Sequence, residues 1–522
     1  MMRSSPLFKS SSHCIASPNG QHIATFTSST TITIRSVETL QTVNAVKLPA
    51  DVTGPVSTLL WSPSSTKLLA ATAEQIVVLS ANNVPFQAVI RNPLAGGNRP
   101  SAIQFGAADT EIIVFAAFGL KVAVFDLSTS KAVEISSPKF YQPVNCARGY
   151  CFHKSTGHMA VLTRLAGKDT ISVHHPSTRH VQRSWAPDVV DAQGMLWTPD
   201  GAWLLLWESP AHGRRMLLYT PDGQLFRSIE SPSLSARGDA DLEPGIRLCQ
   251  LTPDAAVCAV CDYSRTIVLL SSDTWREKMR LVHPATIVPK ETIQVWQEQL
   301  DPSRGRLAYP FLRATQMVSP PGLQAEPKSA AELKSGPSAV AFDASSTLLA
   351  TRLDDCTSTI WVWDTAAAEL RAVLIFHSGV SFQWHPTVRE LLLIRCLDDG
   401  RRDVAFIWDP LSNGPVPVSL GEQRVDAKPC GKLQTAWING TGTAESAALL
   451  LLSDATRYAL LSVSISDDQT CTSWQQEEGG GSASAGGSAD LRLARLDDIT
   501  DMPAIDQDDE SALDDTFAFK RK

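Results

Sequence analysis

The chain lacks long apolar runs: nowhere in its 522 residues is there anything near the roughly 20 consecutive apolar side chains that a membrane-spanning helix needs. Its opening, Met1-Met2-Arg3-Ser4-Ser5-Pro6-Leu7-Phe8-Lys9, carries a basic residue with no apolar segment behind it, so it does not read as a secretory signal. Cysteine is sparse, with 10 in all, and most lie in apolar stretches such as Val257-Cys258-Ala259-Val260-Cys261. This excludes a disulfide scaffold and points to reduced thiols in a core. No Lys/Arg cluster forms the basic stripe that neutralises phosphates. These absences predict a soluble, cytoplasmic protein with neither membrane nor nucleic acid among its partners.

Signatures of catalysis and of cofactor or metal binding are missing as well. Cys258 and Cys261 have a metal-like spacing, but they lie in an alternating strand where positions three apart face opposite sides, and no second pair completes the four ligands zinc requires. The glycine-rich stretch from Gly479 to Ser488 has no Gly-Lys-Ser/Thr and no strand–loop–helix setting, which excludes a phosphate loop. His174-His175, Asp354-Asp355 and Asp398-Asp399 sit at predicted strand ends with no Ser or Cys nucleophile beside them. The reading is therefore of a protein without catalytic residues, cofactor or metal.

What is there is a large apolar fraction, 43%, against 19% charged residues, enough to build a sizeable core. The net charge of −8 is uneven: from Gln475 to Lys522 there are 12 acidic and 5 basic residues, which leaves the body nearly neutral.

Within the body a unit recurs: a short apolar strand often ending in an aromatic, a turn of Pro, Asp, Asn, Ser or Gly, and then further strands. Copies include Cys14-Ile15-Ala16-Ser17-Pro18, Leu60-Trp61-Ser62-Pro63, Leu196-Trp197-Thr198-Pro199, Gln250-Leu251-Thr252-Pro253, Ala341-Phe342-Asp343, Gln383-Trp384-His385-Pro386 and Ala436-Trp437-Ile438-Asn439. Nine turn markers, at 18, 63, 106, 154, 199, 253, 343, 386 and 439, are mostly 43–54 residues apart, close to the roughly 40–45 of a WD40 blade. A single four-stranded sheet cannot bury both faces, and stacking such sheets round an axis does so. Two third strands, Thr359-Ile360-Trp361-Val362-Trp363-Asp364 and Ala405-Phe406-Ile407-Trp408-Asp409, end in Trp-Asp. Trp361, Trp363, Trp384 and Trp408 are read as packing residues, and Asp364 and Asp409 as caps of the following turn.

The fold expected is all-β, a WD40-type β-propeller over residues 1–473 forming one closed ring of eight or nine four-stranded blades. Ser5–Lys9 would supply the outer strand of the last blade, whose inner strands lie near Trp437, Leu449 and Leu460. The 90-residue gap between Pro253 and Asp343 leaves room for one ordinary blade plus an insertion, and the Pro/Ser/Gly-rich segment at about 301–337 reads as an irregular excursion from a blade edge. Residues 474–522 read as a Gly/Ser linker and a disordered acidic tail. Within the tail, Leu491–Leu496 and Thr516-Phe517-Ala518-Phe519-Lys520 have the look of short recognition elements.

Several blocks are narrower than a generic propeller. Thr274-Trp275-Arg276 followed by His283-Pro284-Ala285-Thr286-Ile287, the run Leu349-Ala350-Thr351-Arg352 through Ile360–Asp364 to Phe382-Gln383-Trp384, and the N-terminal Phe8-Lys9-Ser10-Ser11 and Ile34-Arg35-x-Val37-x-Thr39-Leu40-Gln41 resemble the WD-repeat-containing protein eight family of centrosomes and spindle pole bodies. The resemblance implies a non-enzymatic scaffold in complex with a coiled-coil microtubule-anchoring protein, joined by a minus-end-directed kinesin of the kinesin-14 class, that anchors spindle microtubule minus ends. His283 and Arg352, from the narrower matches, are the candidate protein-binding residues. The insertion and the acidic tail have no counterpart in that resemblance. Three other readings compete with this one. A ribosome- or initiation-factor-binding propeller usually has a basic extension, whereas this one is acidic. A cullin-ligase substrate receptor commonly has Trp-Asp-x-Arg, whereas the two pairs here continue Thr365-Ala366 and Pro410-Leu411. A propeller hydrolase or dehydrogenase would need a nucleophile or cofactor motif.

Overall fold

Each sequence repeat becomes one antiparallel sheet. The computed structural model describes residues 2–463 apart from 53, 83, 92–101, 117–120, 141–148, 231–244, 300–309, 323–335, 399–400, 421–431 and 441–447, together with the backbone of 517–519. Among these residues there are nine sheets and a single 3-10 turn, Pro210–His212. First strands of neighbouring sheets touch round the axis at six of the nine interfaces, the last against the first among them. The protein is a closed nine-bladed β-propeller, the upper of the two ring sizes the sequence allowed.

Blade 1 is built from Cys14–Ala16, His22–Phe26, Thr31–Ser36 and Thr42–Lys47, and each of the nine turn markers read in the sequence joins the first and second strands of one blade. A side chain with a polar head begins that turn and caps the next strand. Ser17 Oγ accepts the His22 amide at 2.9 Å, Thr252 Oγ1 the Val257 amide at 3.0 Å, and Asp343 Oδ1 the Leu348 amide at 2.9 Å. This turn, Asp343-Ala344-Ser345, lacks the proline found in several others, and its carboxylate organises it instead.

In three blades the tryptophan just before the turn joins blade to blade. Trp61 Nε1 donates to the Ile15 carbonyl at 3.2 Å, Trp384 Nε1 to Ala341 at 2.9 Å and Trp437 Nε1 to Gln383 at 3.3 Å. All three acceptors occupy the same repeat position on the preceding blade. Trp361 and Trp408, on third strands, are fully buried between blades. Asp364 Oδ1 accepts the amides of Ala366 and Ala367, both at 2.9 Å, and Asp409 Oδ1 that of Leu411 at 2.8 Å.

Two features differ from the expectation of uniform four-stranded blades. Ring closure uses Met2–Ser4 and Phe8–Lys9, both paired with Arg457–Val463 of blade 9, rather than one strand over Ser5–Lys9. Pro6 lacks an amide and breaks the ladder, so Ser5 Oγ accepts the Leu460 amide at 2.9 Å across the break. The gap after blade 6 holds no further blade. Its chain runs to the outer edge of blade 7, where Gln294–Glu298 pairs parallel to Glu369–Ile375 and Phe311–Arg313 pairs beyond it, making six strands. Part of the segment read as irregular is therefore ordered sheet, held by the Phe311 ring 5.3 Å from Phe376 and 5.6 Å from Phe406. The Gly/Ser linker, Leu491–Leu496 and the acidic residues of the tail lie outside the described residues. Phe517–Phe519, read as part of a disordered tail, is instead a fifth strand on blade 2.

Blade 1 cements the closure. The Arg35 guanidinium lies 4.2 Å from the centre of the Phe8 ring and its Nε donates to the Tyr458 hydroxyl at 3.1 Å. Gly20, at φ +72°, lies so close to the Asn439 carbonyl that a Cβ would come within 1.6 Å of it, so only glycine fits this blade 9 to blade 1 contact.

Removing residues 2–9 leaves an open edge on blade 9. At a net contribution of about 1 kcal/mol per ladder hydrogen bond, the loss is expected to be on the order of 3–5 kcal/mol, read as a lower midpoint in urea. An unchanged midpoint means that the N-terminal strands do not close the ring.

Candidate partner-binding surface

His283 and Arg352, the two contact residues proposed from the sequence, are structural. His283 follows the outer strand of blade 6 and is only 2% exposed. Its Nδ1 lies 2.8 Å from the Arg265 carbonyl and its Nε2 2.8 Å from Thr351 Oγ1. A carbonyl only accepts, so Nδ1 carries the proton and Nε2 takes the Thr351 hydroxyl hydrogen. Thr351 Oγ1 in turn accepts the Trp363 indole N–H at 3.1 Å, and the imidazole stands edge-on to Trp361 and Trp363, each 5.2 Å away. With both ring nitrogens engaged and the ring enclosed, His283 has nothing to offer a partner. Arg352 spans two blades, its Nε donating to Ser338 Oγ at 3.1 Å and its Nη1 to the Val380 carbonyl of blade 8. The sequence block containing Thr351, Arg352 and Trp363 is thus the wiring of blade 7 to its neighbours.

The arginines of the loop face are also engaged. On the face carrying the connections between blades and the turns between second and third strands, ion pairs link blades 3 to 8. Lys139 contacts Asp169 at 2.6 Å and Asp191 at 2.8 Å, Arg215 contacts Asp188 at 2.7 Å, and Arg265 contacts Asp355 at 3.3 Å. Arg247 pairs with Asp354 and Arg401 with Glu298. Burial works against ionisation of Asp191, but the hydrogen bond and charge of Lys139 and the charge of Arg164 together hold its carboxyl below the usual range. The carboxylate pair Asp354-Asp355 belongs to this network, and His174 is buried with Nε2 on Ser172 Oγ at 2.9 Å and Nδ1 on the Arg179 carbonyl at 2.7 Å. Cys258 packs between blades 5 and 6 while Cys261 packs between blades 6 and 7, the opposite faces that the strand period requires.

The surface best suited to a partner is on the rim between blades 5 and 6. A hollow of about 260 Å³ has Met216, Ile229 and Trp275 in its lining, with Arg214, Arg227 and Arg276 beside Glu230 and Glu277. Arg227 Nη1 donates to the Thr274 carbonyl at 2.6 Å and sets the two walls in place. Trp275 is 2% exposed, sits at φ +53° and has an indole N–H with no partner among the described residues. A tryptophan with positive φ is strained by roughly 1–2 kcal/mol, and a buried unpaired N–H costs a further ~1–3 kcal/mol. Next along the blade 5 strand, Phe226 is 57% exposed and its ring lies 4.3 Å from Trp203. Trp275 and Arg276 belong to a sequence block already singled out. Phe226 was missed because Leu225-Phe226-Arg227-Ser228 reads as any outer strand, with no signal of which residue stays uncovered.

The comparisons with known proteins bear on the family. No family model matches the chain. The mouse WD repeat-containing protein WRAP73 is 26% identical over 315 residues, 56% of this chain and 63% of that protein. An uncharacterized WD repeat-containing protein of the fission yeast Schizosaccharomyces pombe is 25% identical over 399 residues, 75% of this chain and 76% of that one. The chain is thus similar to WD repeat-containing proteins. The match to the mouse protein spans less than two thirds of its length. Among solved structures, a eukaryotic initiation factor aligns over 80% of this chain and 89% of its own, with 11% identity and a TM-score of 0.48. In this nine-bladed ring the Trp-Asp pairs are architecture, and the rim between blades 5 and 6 keeps apolar and charged groups within reach of another molecule.

Burial lowers the His283 pKa to about 4 from an ordinary 6.5. The folded state therefore binds fewer protons than the unfolded state between those values, so this stabilisation is complete above pH 6.5 and is lost as pH falls towards 4. The shift corresponds to roughly 3 kcal/mol. The melting temperature is expected to drop on acidification through this window, and His283→Asn, less stable at pH 7.5, is expected to show a shallower drop. Equal slopes for the two proteins contradict the buried neutral imidazole.

Proposed function

We propose that the protein is a non-enzymatic WD40 scaffold of the spindle pole body or centrosome that binds a coiled-coil microtubule-anchoring protein and helps to anchor spindle microtubule minus ends, with a minus-end-directed kinesin of the kinesin-14 class in the same assembly. The observation that carries the reading is the rim groove between blades 5 and 6. Its apolar floor is narrow, it is flanked by charges of both signs, and Phe226 stands exposed beside it. A coiled-coil helix presents the same pattern in relief, an apolar stripe bordered by Glu and Lys. Trp275-Arg276 in the groove wall belongs to one of the blocks on which the resemblance to the centrosomal and spindle-pole family rests. The likeness to WD-repeat proteins of mouse and fission yeast supports the scaffold part of the reading.

The function follows from rigidity. Nine packed sheets, with indole-to-carbonyl bonds at three interfaces and ion pairs over blades 3 to 8, hold surface sites at fixed separations, so a helical partner and a motor can be kept in one geometry under load. Exposed aromatic and arginine anchors dominate such interfaces, and Phe226 and Arg276 are the ones this groove provides.

Affinity purification of the tagged full-length chain from dividing cells, with the tag imaged against a pole marker, tests the reading. A coiled-coil anchoring protein and a minus-end kinesin are expected in the eluate, with foci at the poles. The double variant Phe226→Ala/Arg276→Glu is expected to lose at least tenfold of the coiled-coil protein while melting at the wild-type temperature. Recovery of ribosomes or a cullin adaptor with diffuse signal overturns the proposal.

A further inference from the structure

A propeller has one outer strand per blade, and each presents unpaired amides and carbonyls that can template aggregation unless they are managed. Five of the nine outer strands here mix polar with apolar residues and are largely exposed, with no more than one buried side chain each: Thr42–Lys47, Lys131–Ser136, Val181–Trp185, Leu225–Glu230 and Glu277–Val282. Those of blades 8 and 9 are short, and proline interrupts them at Pro417 and Pro6. Blades 2 and 7 differ. Their outer strands are apolar at the centre, Gln87-Ala88-Val89-Ile90-Arg91 and Glu369-Leu370-Arg371-Ala372-Val373-Leu374-Ile375, and Ala88, Ile90, Ala372 and Leu374 are wholly buried. They are also the two blades that carry further strands. Blade 7 takes its own from the adjoining insertion, and blade 2 takes Phe517–Phe519 from the far end of the chain.

We propose that the outer edge of blade 2, residues 87–91, is a strand-acceptor site for an extended segment, and that in the free protein the chain's own C-terminal Phe517–Phe519 fills it. The pairing is antiparallel, with Ile90 opposite Phe517, Val89 opposite Ala518 and Ala88 opposite Phe519. Main-chain hydrogen bonds supply affinity in strand addition, and the alternate residues supply selectivity. Residues 464–516 separate the segment from the last strand of the ring, a length of chain that reaches blade 2 several times over at ~3.3–3.6 Å per residue. A tethered occupant acts at roughly millimolar effective concentration, so a partner's segment enters only when it binds more tightly or when the C-terminal segment is drawn away. This inference does not depend on the function proposed above.

The test uses full-length protein and a variant carrying Phe517→Pro and Ala518→Pro. Adjacent prolines remove the amide in both phases of the ladder, so strand pairing is lost whichever phase faces blade 2. Hydrogen exchange over residues 86–91 is expected to be at least tenfold faster in the variant, with the other eight blades unchanged. A peptide of residues 514–522, added at 100 micromolar (about a tenth of the effective concentration of the tether), is expected to restore protection in the variant and to leave the wild type unaltered. Equal exchange in the two proteins overturns the proposal, and so does a peptide that leaves the variant's faster exchange as it was.

Discussion

Ring closure is the constraint on which everything else depends. A propeller blade is stable only between two neighbours, and in an open arc the first and last blades have one each. Here the last blade is completed by the first residues of the chain, so Met2–Ser4 and Phe8–Lys9 hold together a circle of nine sheets. Blade 1 braces that join through Arg35, which lies against the Phe8 ring and donates to Tyr458. The other interfaces join blades that are consecutive in the chain, whereas this one joins the two ends of the folded body. With the join broken, the first and last blades each lose one neighbour.

Much of this was legible because a blade is a repeated solution to one burial problem. The polar turn after the first strand, the aromatic before it and the Trp-Asp pairs recur at a period that matches a four-stranded sheet, and each of the nine markers is one blade. The register of closure was legible only in outline, since Pro6 moves the pairing to either side of Ser5 and that detail depends on which amides can donate. The insertion was read by composition, which describes solvent-exposed chain and carries no information about strands that borrow an edge elsewhere. Gln294–Glu298 pairs with a strand far along the chain, Glu369–Ile375, and no local pattern encodes a parallel partner at that distance.

The candidate site shows the same division. His283 and Arg352 stood out in the sequence because their surroundings were distinctive, and the distinctive feature is a hydrogen-bond relay through Thr351 and a strut to Val380. Buried wiring constrains sequence at least as strongly as a contact surface does. The accessible groove is made from blade 5 and blade 6 residues brought side by side, among them Arg227, Ile229 and Trp275. The surface of the ring is therefore divided between a loop face knitted by ion pairs and a rim that retains apolar and aromatic groups within reach.

The most direct test of the account is hydrogen exchange of the full chain, alone and bound to the coiled-coil protein recovered with it. Slower exchange confined to 214–216, 227–230 and 274–277 is the predicted footprint, since these segments line the groove between blades 5 and 6. Protection on the ion-paired loop face instead, with these segments unchanged, contradicts the account and moves the partner to another side of the ring.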